Sequence, residues 1–365
     1  MRNEGGLRLP FFCPRIEYIS LFQTTRDTCL LTTTVDMQAA IKAVLPLFQS
    51  RKKFVLTTHL NPDGDGLGSE LALGEWLARQ GKTVHILNHS GTPEMYLFLD
   101  ENQRIQKFDE ARHAQILAEA DVILVMDTNH PDRLRSMQRP VLSSPGVKIC
   151  IDHHLEPAPF AQYYLIDDDA TSTGEITYRL LLQLAGEQLS RLIASALYCA
   201  IMTDTGSFRY PRVDPEIHRI VAHLIECGAD PITIYSRVYE QWSAGRMRLL
   251  GETLSTLTTE YNGRLAHVTV TQELLDKTDT TEEDTDNFTT YPMSVEGVVI
   301  GILFLELKES VKISFRSKGE ISINELAQQF GGNGHKNAAG TRLHNVTLPS
   351  IKDQVIRASS AFLAE

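Results

Sequence analysis

Three short apolar runs constrain this chain most: Phe54-Val55-Leu56, Val122 to Met126 and Val147 to Ile151. Acidic or histidine residues come directly or shortly after each of them. Runs of this length, rich in branched aliphatic residues and bounded by polar ones, read as strands buried on both faces, which is the pattern of a parallel sheet. An open sheet of that kind binds its ligand beyond the carboxyl ends of its strands. The residues found there are His59-Leu-Asn-Pro-Asp63-Gly-Asp65, Asp127-Thr128 and Asp152-His153-His154. A fourth cluster, Asp204-Thr-Gly-Ser, follows a helical stretch. The acids therefore sit where such a sheet places a site.

Helical spacing fills the intervals. Ala40, Ile41, Val44, Leu45 and Phe48 recur as one face before the first run. Ser69 to Gln80 reads as a helix capped by Ser69, and Ala111 to Ala120, Thr171 to Ala185 and Ser190 to Met202 read as further helices. Strands alternating with helices predict an α/β fold with a doubly wound, mostly parallel sheet over residues 37–230. A helical connector is expected over 231–261. Shorter strands from residue 262 onward predict a smaller α+β domain over 262–365, with the acidic stretch Asp276 to Asp286 as a solvated loop or helix start. Residues 1–36 read as a poorly ordered extension. Their apolar stretch is broken by Pro10, Pro14, Arg15 and Glu17, so it fails as a signal peptide.

A net charge of -11 argues against a broad basic groove for long nucleic acid. A small anionic ligand is still compatible with it, because bound metal ions and a few Arg or Lys residues supply positive charge locally. No run of about eighteen apolar residues exists, so no membrane partner is expected. Cys13, Cys29, Cys150, Cys199 and Cys227 form no C-x-x-C pair and read as thiols of a reducing cytoplasm.

In the segment from His59 to Ser69, glycines 64, 66 and 68 let the backbone turn tightly around Asp63 and Asp65. An EF-hand fails here because its twelfth position is Ala72 rather than Glu, and a P-loop fails because no Gly-Lys-Ser/Thr follows the glycines. Carboxylates are costly to gather at buried strand ends unless a cation neutralises them. Four carboxylates and two imidazoles suffice for two divalent ions about 3.5–4 Å apart. In a site of that kind a water shared by two cations loses a proton near neutral pH and attacks phosphorus in line, so no protein nucleophile is required.

His59-Leu-Asn-Pro-Asp63-Gly-Asp65-Gly-Leu-Gly68-Ser69, Asp127-Thr128, Asp152-His153-His154 and Asp204-Thr-Gly-Ser-Phe-Arg-Tyr resemble the four motifs of the Asp-His-His (DHH) phosphoesterases. Gly331-Gly332-Asn333-Gly334-His335-Lys336-Asn337-Ala338-Ala339-Gly340 is similar to the glycine-rich signature of their DHHA1 substrate-binding domain. Asn333 stands where glycine is usual, and Asn129-His130 replaces a more common Ala-Asn.

The resemblance implies His59 and Asp63 on one ion, Asp65, His153 and Asp204 on the other, and Asp127 bridging both. Asp152 is expected to orient His153 or a water, and His154 to donate a hydrogen bond to the scissile phosphate. Mixed imidazole and carboxylate ligands suit manganese. In the second domain, Arg316 resembles the family's phosphate-contacting arginine. Gly332, Asn333, Gly334, His335 and Lys336 are expected to clamp a phosphate, with Arg209 as a further candidate. The layout looks most like the branch that acts on oligoribonucleotides and 3′-phosphoadenosine 5′-phosphate (pAp). Short RNA or a nucleotide is thus the expected partner. A soluble cyclic dinucleotide phosphodiesterase is the alternative, and a nucleotide sensor without turnover is the alternative from another class. No stable protein partner is expected, and a homodimer is left open.

Overall fold

The computed structural model describes residues 37–363, so the extension over 1–36, with Cys13 and Cys29, lies outside the described residues. The first part of the chain runs α1 (Met37–Ser50), β1 (Lys53–Thr57), α2 (Gly64–Arg79), β2 (Thr83–Asn88), β3 (Ile105–Lys107), α3 (Glu110–Glu119) and β4 (Val122–Met126). It continues with α4 (Gln138–Ser143), β5 (Val147–Asp152), β6 (Tyr163–Ile166), α5 (Thr173–Ala185), α6 (Arg191–Asp204) and α7 (Pro215–Glu226). The strands form one sheet in the order β3-β2-β1-β4-β5-β6. Every neighbouring pair in it is parallel.

The chain winds outward from β1 to β2 and β3, then returns to the other side of β1 as β4. That reversal opens a crevice between the carboxyl ends of β1 and β4. His59 follows β1 and Asp127 follows β4, one on each side of it. Alternation along the strands supplies both faces of the sheet. Phe54 and Leu56 of β1, with Val122, Leu124 and Met126 of β4, join the core beneath α1, α2, α5 and α6. Val55, Ile123 and Val125 join the opposite core with Leu117 and Val141. The α/β doubly wound class expected from the sequence is the fold observed.

One local expectation fails. Helix α2 starts at Gly64, five residues before Ser69, and its N-cap is Asp63, whose side chain accepts hydrogen bonds from the Asp65 and Gly66 amides. Ser69 is fully buried in the helix interior and caps nothing. Of the glycines that suggested a loop, Gly64 and Gly68 serve close packing against α6, and Gly66 lets the helix approach Thr58. A Cβ on Gly68 would lie 2.3 Å from the Ala196 carbonyl oxygen of α6.

The remaining elements are α8 (Pro231–Tyr239), α9 (Ala244–Ser255), β7 (Thr258–Glu260), β8 (Leu265–Val270), α10 (Gln272–Thr278), β9 (Ile300–Leu307), β10 (Ser310–Ser317), α11 (Ile323–Gln328), β11 (Asn333–His335), β12 (Ala338–His344) and α12 (Leu348–Ser359). A second sheet has the order β11-β12-β10-β9-β8-β7, antiparallel except for the pair β8 and β9. This is the smaller α+β unit. The two helices between the sheets divide by packing: Ile234 and Val238 of α8 belong to the first core, whereas Leu249 and Leu250 of α9 pack beside Val268 and Leu303 of the second sheet. The acidic stretch is tied down at Glu282, which pairs with Lys312 at 2.9 Å and Arg342 at 2.6 Å. Among the described residues no helix is long and apolar enough to cross a membrane.

Candidate active site

The crevice is built from four segments. Beyond β1, the His59 Nδ1 lies 2.8 Å from the Leu60 carbonyl, so Nδ1 carries the proton and Nε2, 3.2 Å from Asp127 Oδ2, keeps its lone pair. Asp63 is exposed at the helix N-cap. Asp65, 1% exposed in the first turn of α2, accepts the Thr173 and Gly174 amides at 2.7 and 2.8 Å. Those amides form the N-terminus of α5, whose positive end favours a carboxylate.

Beyond β4, Asp127 has a left-handed backbone with φ of 56°. Its amide donates to the Ile151 carbonyl at 2.9 Å, and the Thr173 hydroxyl donates to its Oδ1 at 3.2 Å. Beyond β5, His153 Nε2 stands 3.4 Å from Asp204 Oδ2 and 3.7 Å from both Asp65 Oδ2 and Asp127 Oδ1. Asp152 lies under His154: its Oδ1 is 2.7 Å from His154 Nδ1 and accepts the His153 amide at 2.9 Å. The Asn129 side chain donates to the His154 carbonyl at 2.7 Å and fixes that turn. Asp204 ends α6, and the next turn, Gly206-Ser207-Phe208, is left-handed at three successive residues.

Donor atoms of His59, Asp63 and Asp127 all lie within 4.8 Å of one another, as do those of Asp65, His153 and Asp204, and those of Asp127, Asp152, His153 and His154. The electrostatics follow from this crowding. Burial, with the neighbouring carboxylates Asp63, Asp152 and Asp204 adding to it, raises Asp127 well above the carboxylate range. Burial and the charges of Asp127 and Asp204 do the same for Asp65. Asp204 is pushed up to about 7 by burial and Asp63. His153 is pushed down to about 4 by burial and the adjacent His154. Asp65, Asp127 and Asp204 are therefore hard to ionise together unless cations enter among them.

Residues that sequence reasoning missed complete the setting. Thr173 and Gly174 were signalled by Ser172-Thr-Gly-Glu175, a helix-start pattern in which the Ser172 hydroxyl accepts the Glu175 amide. Arg133 faces Asp127, and Arg212, whose guanidinium reaches the Ala170 carbonyl at 3.4 Å, faces Asp204. Arg209 instead donates from Nε to the Gly206 carbonyl at 2.6 Å.

In the second sheet, Arg316 is half-buried on β10 opposite Ala338, and its guanidinium is within electrostatic reach of Tyr210. The glycine-rich segment runs into a hairpin of β11 and β12. Asn333 pairs with Gly340, and Gly334 pairs with Ala339. A Cβ on Gly332 would lie 2.4 Å from the Gly340 oxygen, so glycine is needed there to bring the two backbones together. Lys336 pairs with Glu320 at 2.5 Å, and the side chain of His335 lies outside the described residues.

Comparison with known proteins places the chain in a family. Residues 53–201 fit the DHH family, N-terminal domain, and residues 262–365 fit the DHHA1 domain. The chain is 30% identical over 303 residues to the bifunctional oligoribonuclease and PAP phosphatase NrnA of Thermus thermophilus, covering 83% of this chain and 88% of that protein. It is 25% identical over 343 residues to the cyclic-di-AMP phosphodiesterase PdeA of Listeria monocytogenes, covering 90% of this chain and 50% of that protein. A crystal structure of an exopolyphosphatase-related protein from Bacteroides fragilis superposes with a TM-score of 0.86 at 32% identity, over 91% of this chain and all of that one. The chain belongs to the DHH family of phosphoesterases, with a DHH domain followed by a DHHA1 domain.

Proposed function

We propose that this phosphoesterase hydrolyses short RNA oligonucleotides and pAp, using two divalent ions of which manganese best suits the donors. The observation that carries the reading is the pair of donor groups, His59/Asp63/Asp127 and Asp65/His153/Asp204, that meet at the crevice between β1 and β4. The chemistry of the set fits the ions. Imidazole and carboxylate are mixed, and the carboxylates are too crowded to ionise alone. His59 and Asp63 would hold one ion, Asp65, His153 and Asp204 the other, and Asp127 both. When bound, the ions activate a water for in-line attack and neutralise charge developing on the phosphoryl oxygens.

The chain's own groups do the rest. The α5 N-terminus and Thr173 fix the carboxylates of Asp65 and Asp127, so neither has to reorganise when charge develops. With Nδ1 on Asp152, His154 turns Nε2 away from that carboxylate, and this is the nitrogen that meets the scissile phosphate when the ring carries both protons. Arg316 is assigned to a second phosphate of the substrate, with Gly332, Asn333, Gly334, His335 and Lys336 beside it on the hairpin. Arg209 is kept as a lesser contact. The free thiols Cys150, Cys199 and Cys227 fit a reducing cytoplasm.

The likeness to PdeA, which covers half of that protein, favours cyclic di-AMP as the second reading. The test is product release with manganese from pAp, from RNA of two to about twenty nucleotides and from cyclic di-AMP in parallel. Cleavage of pAp and the shortest RNAs is expected. Cleavage of cyclic di-AMP alone selects the second reading, and cleavage of none of them, with manganese present, overturns both.

A further inference from the structure

Glu70 and Asn88 stand outside every donor group, yet they are joined to the segment that carries His59. Both are fully buried, Glu70 on the inner side of α2 and Asn88 at the end of β2. The Asn88 amide donates to Glu70 Oε2 at 2.8 Å, while Asn88 Oδ1 accepts the Thr58 backbone amide at 3.0 Å. This orientation of Asn88 satisfies both of its ends, and a flipped amide would set its NH2 against the Thr58 N–H.

Thr58 is the first residue beyond β1 and immediately precedes His59. On the far side of His59, the Leu60 amide donates to the Arg133 carbonyl at 2.8 Å, and the Leu60 carbonyl in turn meets His59 Nδ1 at 2.8 Å. The histidine is thus pinned from both flanks, once by Asn88 and once by Arg133. The Asn88 pin depends on Glu70.

A carboxyl group at this point in the core demands a reason. Its neighbours along α2 are Leu67, Leu71 and Leu73, all fully buried, and Glu70 Oε1 has no hydrogen-bond partner among the described residues. Leucine would pack there without burying a polar group. What leucine cannot do is accept the Asn88 amide. We propose that Glu70 is a positioning residue which, through Asn88 and the Thr58 amide, orients His59 for the ion shared with Asp63 and Asp127. The proposal deepens the two-ion reading and rests on it.

Burial raises the Glu70 carboxyl to about 8, so it is neutral at pH 7. Glutamine is then its close mimic, since the amide oxygen accepts from Asn88 in the same way. Outer residues that orient a metal-bound histidine typically change affinity by about 10–100-fold when removed.

The experiment is a calorimetric manganese titration of the wild type, Glu70→Gln, Glu70→Leu and Asn88→Ser, with kcat and KM on a dinucleotide RNA. The thermal midpoint of each in chelator serves as the folding control. Two ions are expected on the wild type and on Glu70→Gln. Glu70→Leu and Asn88→Ser should each weaken one of the two by about tenfold and lower kcat while leaving KM unchanged. Asn88→Ser removes the same bridge with a polar side chain, and it carries the test where Glu70→Leu does not fold. Wild-type affinity at both ions in both bridge-breaking variants overturns the positioning role. So does Glu70→Gln binding as weakly as Glu70→Leu. A wild type that binds no manganese and cleaves nothing overturns the two-ion reading itself.

Discussion

At the carboxyl ends of β1, β4 and β5, ionisable groups are held in place by their surroundings: two helix amides on Asp65, a left-handed turn at Asp127, and a carboxylate beneath His154. On the second sheet the candidate contacts are arranged the other way. Lys336 is exposed and paired with Glu320, itself 97% exposed, while Arg316 rests on a neighbouring carbonyl and faces Tyr210 of the first domain. The difference separates two tasks. On the function proposed above, groups that must not reorganise during reaction are fixed before substrate arrives, whereas groups that choose a substrate are held by partners they can exchange for it.

The largest effect that can break this comparison is expected from Asp127→Asn. Asparagine keeps the shape and the Thr173 contact but removes a charge common to two donor groups. Manganese-dependent kcat/KM on short RNA should fall by more than about 100-fold, the upper range for residues outside the coordination sphere. Equal activity of variant and wild type would remove Asp127 from the site.

The next test uses pH. Asp204 titrates near 7 when folded, against an ordinary value of 3.8, so in that window the folded chain retains a proton that the unfolded chain has released. Stability of the metal-free protein therefore falls as pH rises from about 4 to about 7, and Asp65 and Asp127 push in the same direction. His153 opposes them between 6.5 and about 4, because the unfolded chain gains the proton there. Three acids outweigh one histidine, so the thermal midpoint in chelator should decline across the window and manganese should abolish the decline. A midpoint equally pH-dependent with and without manganese contradicts the assignment of these carboxylates to cations.

The smallest effects belong to the second sheet. Arg316→Ala should raise KM for pAp by about tenfold, the loss of one charge-assisted hydrogen bond, with kcat nearly unchanged. Lys336→Ala should shift stability by less than about 0.5 kcal/mol, because its ion pair is exposed. A drop in kcat as large as that of Asp127→Asn, from either change, would erase the distinction between the two regions.

Much of this was legible in the sequence where side-chain chemistry is local. The buried strands announced themselves by continuous Val, Ile and Leu, and each donor segment lay just beyond one of them or at the end of a helix. The edge strands β3 and β6 did not, because Ile105-Gln-Lys and Tyr163-Tyr-Leu-Ile are short and only half-covered. Helix α7 is readable as well: Asp214-Pro215 is a start signal, and Ile217, Ile220, Val221 and Leu224 form its buried face. The start of α2 was hidden by glycines whose purpose is close packing against α6 and Thr58. The link from Glu70 through Asn88 to Thr58 was beyond reach, since it exists only once β1 and β2 lie side by side.

The left-handed backbone of Asp127 has a consequence for how such a chain ages in evolution. Aspartate and asparagine are the non-glycine residues that best tolerate that conformation, so asparagine fits the turn as well and brings no charge into a buried cluster. Relaxed selection on catalysis would therefore open a short route to a more stable fold through the very position the proposed reaction assigns to both ions. A descendant that retains nucleotide binding alone would carry its history there, as a single amide in place of a carboxylate.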